Sequence, residues 1–228
     1  MKEIVRLVNI VKRYNSGERG IRDISLTFYE GEFVAIYGLP GSGENILFRL
    51  IAGMERLSDG RIFVMDQLMQ AENDKKSAAL RCKHIGIMQR SPSFLPELTI
   101  LENIALPLAV KNVDRTDRLH KAAAWLQRVG MTDRRNNFPR GLSSLEKQKI
   151  SLARAMVKAP AILLADGITG NLSAPESRQF MKQLNIIVRQ ERTTFVLFTD
   201  NQDIARLADR WFLLKDGMIQ EEAYETIY

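Results

Sequence analysis

Cysteine, histidine and long apolar runs are all scarce in this chain. Its single cysteine, Cys82, excludes an internal disulfide framework and is typical of a reducing compartment. No stretch approaches the roughly 18–20 apolar residues of a membrane-spanning helix, and the mean hydropathy is −0.18. Charges interrupt the opening MKEIVRLVNIVKRY every few residues, so it lacks the apolar core of a signal peptide. We therefore expect a soluble, cytoplasmic protein.

The few histidines and tryptophans favour structural roles. His84 and His120 are isolated, with no cysteine or carboxylate at ligand spacing, so we expect no metal site. Trp125 and Trp211 lie in largely apolar stretches and are expected in the core or at an interface. Three methionines are predicted to fill gaps in the core: Met54, Met65 and Met69.

Composition and charge describe a folded, basic protein. Of its 228 residues 45% are hydrophobic and 26% are charged, which suffices to bury a core and excludes intrinsic disorder. The net charge of +6 favours either an anionic partner or a solvated basic surface. No aromatic interleaving accompanies the one mild concentration of basic residues, so we expect no nucleic-acid partner. That concentration comprises Arg115, Arg118, Lys121, Arg128, Arg134 and Arg135.

The order of the apolar stretches predicts an α/β fold. The segment IRDISLTFYEGEFVAIYG predicts two strands, and a helical pattern follows the glycine-rich turn after them. A helical, more charged segment then precedes the strand AILLADG, a helix over 174–190, the strand TTFVLFTD and a hairpin around Asp216–Gly217. Strands alternating with helices indicate a largely parallel, covered sheet. We find no repeat or linker within residues 1–228 and expect one domain.

The turn after FVAIY has the G-x-x-x-x-G spacing of a phosphate-binding loop. Its glycines allow backbone N–H groups to turn toward an anion. The next two positions of such a loop hold Lys and Ser or Thr, but here they are Glu44 and Asn45. Alone, the half-matched loop is weak evidence, since glycine-rich turns also serve packing. The loop comprises Gly38, Leu39, Pro40, Gly41, Ser42 and Gly43.

Motifs over nearly the whole chain resemble, in order, those of the ATP-binding subunits of ABC transporters. Tyr14 stands where the family has an aromatic that stacks on adenine, and IGIMQRSPSFLPELTILENIALPL resembles the Q-loop with the permease-binding surface. PRGLSSLEKQKISLARAM resembles the signature helix, AILLADGITGNLSAPES Walker B with the D-loop, and FTDNQDIARLADRWFLLKDGMI the H-loop. ADGITGNLS is similar to the ADEPTGNLD form of the lipoprotein-release, macrolide-export and cell-division subfamily.

The resemblance implies an ABC ATPase fold of the P-loop NTPase type. That fold has a mixed sheet core, an N-terminal antiparallel β subdomain and a helical signature subdomain, which we expect inserted at about 91–155. Tyr14, the glycine-rich loop and Asp166 of Walker B would be a remnant of the nucleotide site. The resemblance also implies that a permease contacts Phe94, Leu95, Pro96 and Leu98.

The sequence departs from the family at positions that handle phosphate, metal and water. Glu44 replaces the lysine that neutralises the phosphates, and Asn45 replaces the hydroxyl that binds Mg²⁺. Asp166 is retained, but Gly167 replaces the glutamate that polarises the attacking water. The other departures are Arg90 at the Q-loop glutamine (Gln89 would match after a one-residue shift), Ser173 at the D-loop aspartate and Asp200 at the H-loop histidine.

The signature motif, which faces the partner subunit in the family, is also altered. Ser143 is retained, whereas Ser144 and Leu145 stand where glycines let the backbone approach the partner's γ-phosphate. The segment comprises Leu142, Ser143, Ser144, Leu145 and Glu146.

We therefore predict a pseudo-ATPase, a non-catalytic subunit that pairs with an active ABC ATPase and docks on a permease at the inner face of the membrane. It requires no cofactor, and its own site binds ATP weakly and no Mg²⁺. Two alternatives stay open: a divergent but active ATPase, and a stand-alone regulatory protein. Because the family geometry brings the P-loop and Q-loop together, we also predict an ion pair between Glu44 and Arg90; alternatively, both side chains point into solvent.

Overall fold

The computed structural model describes residues 1–14, 20–69 and 74–221, which form two sheets and seven α-helices. The strands are β1 (Glu3–Lys12), β2 (Ile21–Tyr29), β3 (Phe33–Tyr37), β4 (Asp59–Val64), β5 (Gln67–Leu68), β6 (Ile85–Gln89), β7 (Ile162–Asp166), β8 (Thr194–Thr199), β9 (Arg210–Lys215) and β10 (Met218–Glu221). The helices are α1 (Glu44–Ile51), α2 (Asp74–His84), α3 (Ile100–Val110), α4 (Arg115–Arg128), α5 (Ser144–Met156), α6 (Ala174–Gln190) and α7 (Gln202–Ala205), with a 3-10 turn at Thr132–Arg134.

The larger sheet has six strands in the order β10-β9-β3-β8-β7-β6. Its pairs are parallel except for the terminal hairpin of β9 and β10. Alternate residues of β7 enter two different apolar cores, with Leu163 on the face of α3–α6 and Leu164 on the face of α1. Both faces are therefore covered, and the predicted mixed sheet and hairpin are confirmed.

The smaller sheet is antiparallel, in the order β2-β1-β4-β5. It packs Leu7, Phe28 and Ile62 into the same core as α1. The pairing of β1 with β2 shifts register between Leu7 and Ile10, where Asn9 adopts a left-handed φ of 45°. The N-terminal antiparallel sheet that the family resemblance implies is present.

Helices α3, α4 and α5 lie in sequence between β6 and β7. Capping boxes begin two of them: Thr99 with Glu102 at α3, and Ser143 with Glu146 at α5. Trp125 on α4 is buried among these helices, as predicted.

The side chains predicted as core fillers divide into two groups. Met69 is buried and Met65 is partly buried against the core of α1, in agreement with the prediction. Met54 is 44% exposed, so its assignment to the core is wrong. Trp211 is partly buried and lies edge-on to Tyr37, with ring centroids 6.5 Å apart. The sequence could not separate Met54 from Met65 and Met69, because all three lie in connecting segments and only tertiary packing buries the latter two.

Candidate functional site

The candidate site lies where the parallel strands of the larger sheet end. Register pairs Gln89 at the end of β6 with Asp166 at the end of β7, and Tyr37 at the end of β3 with Thr199 at the end of β8. Open α/β sheets bind ligands at this edge. The P-loop, Q-loop, Walker B and H-loop positions inferred from the sequence therefore share one edge of one sheet.

The phosphate loop, residues 38–43, carries a carboxylate folded back onto it. Gly41 and Gly43 adopt left-handed φ values of 88° and 107°, which side chains other than glycine rarely tolerate. The Ser42 hydroxyl donates a hydrogen bond of 3.1 Å to the Glu44 carboxylate. A Cβ added to Gly38 would lie 2.3 Å from Ser42 Oγ and 2.7 Å from Glu44 Oε2. The Glu44 carboxylate therefore lies over the backbone of the loop.

Burial and neighbouring acids make the carboxylate of Glu44 hard to ionise. Burial is the largest cause that raises its pKa, to about 7, and the charges of Asp166 and Asp200 act in the same direction. The Ser42 hydrogen bond and the Arg90 charge oppose this rise. Burial also raises the pKa of Asp166. The edge of the sheet is thus an acidic cluster that resists further negative charge.

This acidic cluster predicts a specific dependence of stability on pH. Between about pH 4.5 and 7 the folded state holds a proton on Glu44 that the unfolded state releases, so the free energy of unfolding falls as pH rises. Glu44→Gln should reduce that fall by about 1–2 kcal/mol, after allowance for solvent screening. The measurement is urea unfolding on both sides of this range.

Glu176→Gln is the matched control for that measurement. Hydrogen bonds from Ser173 lower the pKa of Glu176, so its ionised form stabilises the fold and this contribution is lost as pH falls. Because this pKa lies below its ordinary value of 4.5, Glu176→Gln should leave the slope between about pH 4.5 and 7 unchanged and reduce the rise of stability with pH only below that range. Equal slopes in wild type and Glu44→Gln would contradict the assignment.

The side chain of Arg90 lies across the Walker B turn. Its Nη2 pairs with Asp200 Oδ2 at 3.1 Å. A Cβ added to Gly167 or to Gly170 would lie 2.8 Å from Arg90 Nε, so the guanidinium occupies the space above both glycines. Gly167 itself has a left-handed φ of 57°.

The predicted ion pair between Glu44 and Arg90 is therefore wrong, and so is its alternative of two solvent-directed side chains. Arg90 pairs with Asp200, while Glu44 accepts its hydrogen bond from Ser42. The reason is steric. Because Gly167 and Gly170 have no side chains, the space above them is free, and the guanidinium of Arg90 occupies it on its way to Asp200. Arg90 still acts on Glu44 through space, because its charge lowers that pKa.

Two amide side chains that the sequence reasoning missed fix the backbone of Arg90. Gln148 of α5 donates through Nε2 to the carbonyls of Gln89 and Arg90, at 3.0 Å each. Asn171 donates to the Arg90 carbonyl at 3.2 Å. Gln148 is only 2% exposed. A glutamine on the mostly apolar buried face of an amphipathic helix was the signal that could have revealed this anchor.

The remaining degenerate positions lie at helix starts. Asn45 is exposed in the first turn of α1. Ser173 donates through its hydroxyl and its backbone N–H to Glu176, at 2.6 and 2.8 Å. Ser143 accepts from the Glu146 N–H at 3.2 Å, so its hydroxyl caps α5. In the same segment Ser144 is exposed, and two leucines pack partly against the core: Leu142 and Leu145.

Tyr14 makes its hydrogen bond beyond the C-terminal end of α1. Its hydroxyl donates to the carboxylate of Glu55, which also pairs with Lys12 at 3.2 Å and with Arg49 at 3.3 Å. The Lys12 ammonium lies 4.9 Å from the centre of the Tyr14 ring. The phosphate loop precedes the opposite end of the same helix.

The loop over residues 94–98 presents an apolar surface, and a buried side chain of α3 fixes its backbone. Leu95 is 48% exposed and Pro96 is exposed, while Phe94 packs partly on the core. Asn103, fully buried on α3, accepts from the Leu95 N–H at 2.8 Å and donates to the Leu95 and Leu98 carbonyls at 3.0 Å each. The sequence reasoning missed this anchor, which orders an exposed apolar loop.

The described part of the chain has neither a cluster of metal-binding side chains nor a membrane-spanning helix. Over residues 1–14, 20–69 and 74–221, no group of three or more His, Cys, Asp or Glu side chains is placed to hold a metal ion. Over the same ranges, no helix combines the length and apolarity needed to cross a bilayer.

A family model and individual related proteins all point to the same family. The family model for ABC transporters matches residues 21–170. The chain is 32% identical over 221 residues to a lipoprotein-releasing system ATP-binding protein LolD of Psychrobacter arcticus, covering 95% of this chain and 98% of that protein. It is 32% identical to the ABC transporter ATP-binding protein YtrE of Bacillus subtilis, covering 88% of this chain and 87% of that protein.

The fold agrees with these sequence matches. A dimeric ATP-binding cassette, MJ0796 bound to ADP and Pi, superposes with a TM-score of 0.85 at 28% identity, covering 97% of this chain and 100% of that one. The predicted ABC ATPase fold is confirmed by this match. The chain belongs to the ABC transporter family.

Proposed function

We propose that this protein is a non-hydrolysing nucleotide-binding-domain subunit of a membrane ABC transporter. It pairs with a second, active ATPase and docks on a permease of the lipoprotein-release or macrolide-export type. In that assembly it is peripheral at the inner face of the membrane, and its role is to complete the dimer and transmit movement.

The position of Arg90 carries this proposal. Its guanidinium fills the space above Gly167, where the family's catalytic glutamate would begin, and its charge is engaged by Asp200 at the H-loop position. A half-exposed ion pair of this kind contributes about 0.2–1 kcal/mol, so the obstruction is mainly steric. The hydrogen bond from Gln148 supports the proposal, because it fixes the backbone of Arg90 to α5.

The residues present do not fit Mg-ATP at this chain's own site. The Glu44 carboxylate lies over the loop whose backbone would receive phosphate, and burial and two further acids already resist its ionisation. No hydroxyl stands at position 45, and the neighbouring Ser42 hydroxyl donates to Glu44. We therefore assign no step of ATP hydrolysis to this subunit.

Relatives support the assembly in the proposal. One matching protein is a macrolide export ATP-binding/permease protein, MacB 2 of Aeromonas hydrophila, at 32% identity over 223 residues; the match covers 96% of this chain and 34% of that protein. The MJ0796 cassette is described as dimeric. The ordered, exposed loop around Leu95 is the surface that we assign to the permease.

The test is ATP hydrolysis by the purified chain. We expect no Mg-dependent release of phosphate above background, because the positions for phosphate, metal and water are all altered. Co-expression with a cognate permease and a second ATPase should give a complex whose activity is lost on mutation of the second ATPase alone. Steady-state turnover by the pure chain that disappears in Asp166→Asn would establish the divergent active ATPase instead.

A further inference from the structure

A cleft of about 410 Å³, here called the α4 cleft, lies between the end of α3, the second half of α4 and the end of α5. The loop of residues 94–98 precedes the opposite end of α3, and the altered signature segment lies at the opposite end of α5. The volume is in the lower part of the range for small-ligand sites, about 300–1,000 Å³. The α4 cleft is therefore at the far ends of these helices from both surfaces.

Most of the α4 cleft is lined by hydrocarbon. Six of its ten described lining residues are apolar. Trp125 is the largest of them and only 8% exposed, and Leu108 and Val157 are also buried. The guanidinium of Arg128 lies 4.3 Å from the centre of the Trp125 ring, which favours one orientation of that ring. The cleft thus offers an ordered apolar surface to the body of a ligand.

The remaining lining residues of the α4 cleft are all basic. Within the described lining there is no Asp or Glu. Arg128 is engaged at the end of α6, by Glu191 at 2.5 Å and by Gln190 at 3.2 Å. The positive charge left without an acidic partner in the lining is therefore that of the lysines. The four basic residues are Lys111, Lys121, Arg128 and Lys158.

The lysines act on one another through space. Burial is the largest cause that lowers the pKa of Lys158, to about 8; the charges of Lys111 and Arg81 act in the same direction, and Cys82 opposes them. The Lys158 ammonium donates to the Arg81 carbonyl at 3.0 Å, which uses one of its three N–H groups. Lysines at helix ends also balance helix dipoles, but that role does not require like charges to converge on one apolar cleft. A bound anion would relieve both the burial and the repulsion.

We propose that the α4 cleft binds a soluble amphipathic monoanion, with a short acyl chain or ring against Trp125 and a carboxylate beside Lys111 and Lys158. Burial of the chain removes hydrocarbon from water, and the carboxylate accepts charge-assisted hydrogen bonds from the ammonium groups. The volume takes one short chain rather than the two chains of a membrane lipid. This site does not depend on the proposed function.

Trp125 allows the ligand class to be tested on the isolated protein, because Trp211 is the only other tryptophan of the chain. In Trp211→Phe, octanoate at matched ionic strength should change the Trp125 emission until it saturates. Acetate lacks the chain and octanol lacks the charge, so each should bind at least about tenfold more weakly. Octanol that binds as tightly as octanoate would overturn the anion site.

Urea unfolding of the wild-type chain is a second measurement that needs no tryptophan variant. A ligand that binds only the folded state stabilises it, so octanoate should raise the urea midpoint and acetate should not. Octanoate that neither changes the Trp125 emission nor raises the midpoint would overturn the proposal.

Lys111→Gln tests the charge in the cleft. It should weaken octanoate binding about fivefold to tenfold and leave octanol binding unchanged. Lys182→Gln, on the exposed side of α6, makes the same change in net charge and should leave both unchanged. Equal octanoate affinities of the two variants would contradict the role of the lysines.

Ala124→Glu tests the location of the site. Ala124 lines the cleft and is exposed, so a glutamate there presents its own carboxylate to the lysines and should abolish octanoate binding. Gln127→Glu, exposed on the same helix outside the described lining, should retain it. Retention by Ala124→Glu would place octanoate elsewhere on the molecule and overturn the assignment to this cleft.

Flotation with vesicles of phosphatidylcholine and phosphatidylglycerol distinguishes a soluble anion from a membrane lipid. We expect no vesicle binding by the isolated chain that depends on Lys111 or that octanoate displaces. Vesicle binding that is lost in Lys111→Gln and displaced by octanoate would show that a lipid occupies the cleft, and would overturn the soluble ligand.

Discussion

Glu44→Lys should raise the affinity of the chain for ATP by roughly two to three orders of magnitude while leaving hydrolysis absent. Two unit charges about 4 Å apart interact by about 4 kcal/mol at an effective dielectric of 20. The substitution removes a carboxylate that is partly ionised near pH 7 and adds an attraction beside the phosphate loop, and each 1.4 kcal/mol changes affinity about tenfold. Turnover should not follow, because Gly167 supplies no carboxylate and Arg90 still covers it. Equilibrium binding of a fluorescent ATP analogue and a phosphate-release assay provide the two measurements.

Two variants separate local charge from other effects in that experiment. Glu44→Gln keeps the size of the side chain and removes its charge, so its ATP affinity should lie between those of wild type and Glu44→Lys. Glu3→Lys makes the same change in net charge on an exposed residue of β1 and should leave affinity unchanged. If Glu44→Lys binds ATP no better than Glu3→Lys, charge at the loop does not exclude nucleotide.

The alignment of motifs with strand ends was predictable from the sequence. A glycine-rich turn follows one buried strand, and aspartates stand at the ends of two others. Because such strands are parallel, these residues are expected at one edge of the sheet, where open α/β folds bind ligands. The structure puts Asp166 and Asp200 at that edge, together with the phosphate loop. Helix α6 runs over the predicted residues 174–190, because its serine–glutamate capping pair and apolar periodicity are both local signals.

The partner of Arg90 was not predictable, because it depends on which space the fold leaves empty. Three carboxylates influence this region: Glu44, Asp166 and Asp200. All three lie far from Arg90 in the sequence, so their positions do not show which one it pairs with, and the side chain of an arginine is long enough to reach several. The two glycines at 167 and 170 decide the outcome by leaving a path toward Asp200. The anchor Gln148 was missed for a related reason: its hydrogen bonds join α5 to the end of β6, and the separation of these segments is set only by tertiary packing. The bonds of Asn103 are local, but they depend on the path of the loop before α3, which the residue pattern does not specify.

The loop of residues 94–98 is built to present apolar surface rather than to bury it. Phe94 is held between the core and Arg154, while Asn103 fixes the backbone at Leu95 and Leu98. Ordering a loop costs conformational entropy. A buried amide that holds an exposed leucine in one position therefore preorganises that leucine for contact with a partner.

Leu95→Glu should weaken association with the permease at least about a hundredfold without unfolding the subunit. Loss of a buried leucine contact costs about 1.5–3 kcal/mol, and an unpaired charge in the interface adds to it. Because Leu95 is 48% exposed in this chain, the free energy of unfolding should change by less than about 0.5 kcal/mol. Ile186→Glu on α6 is the matched control, since Ile186 is 50% exposed and distant in sequence from the loop. Co-purification with the permease and urea unfolding measure the two effects. Equal retention of Leu95→Glu and Ile186→Glu in the complex would show that this loop does not contact the permease.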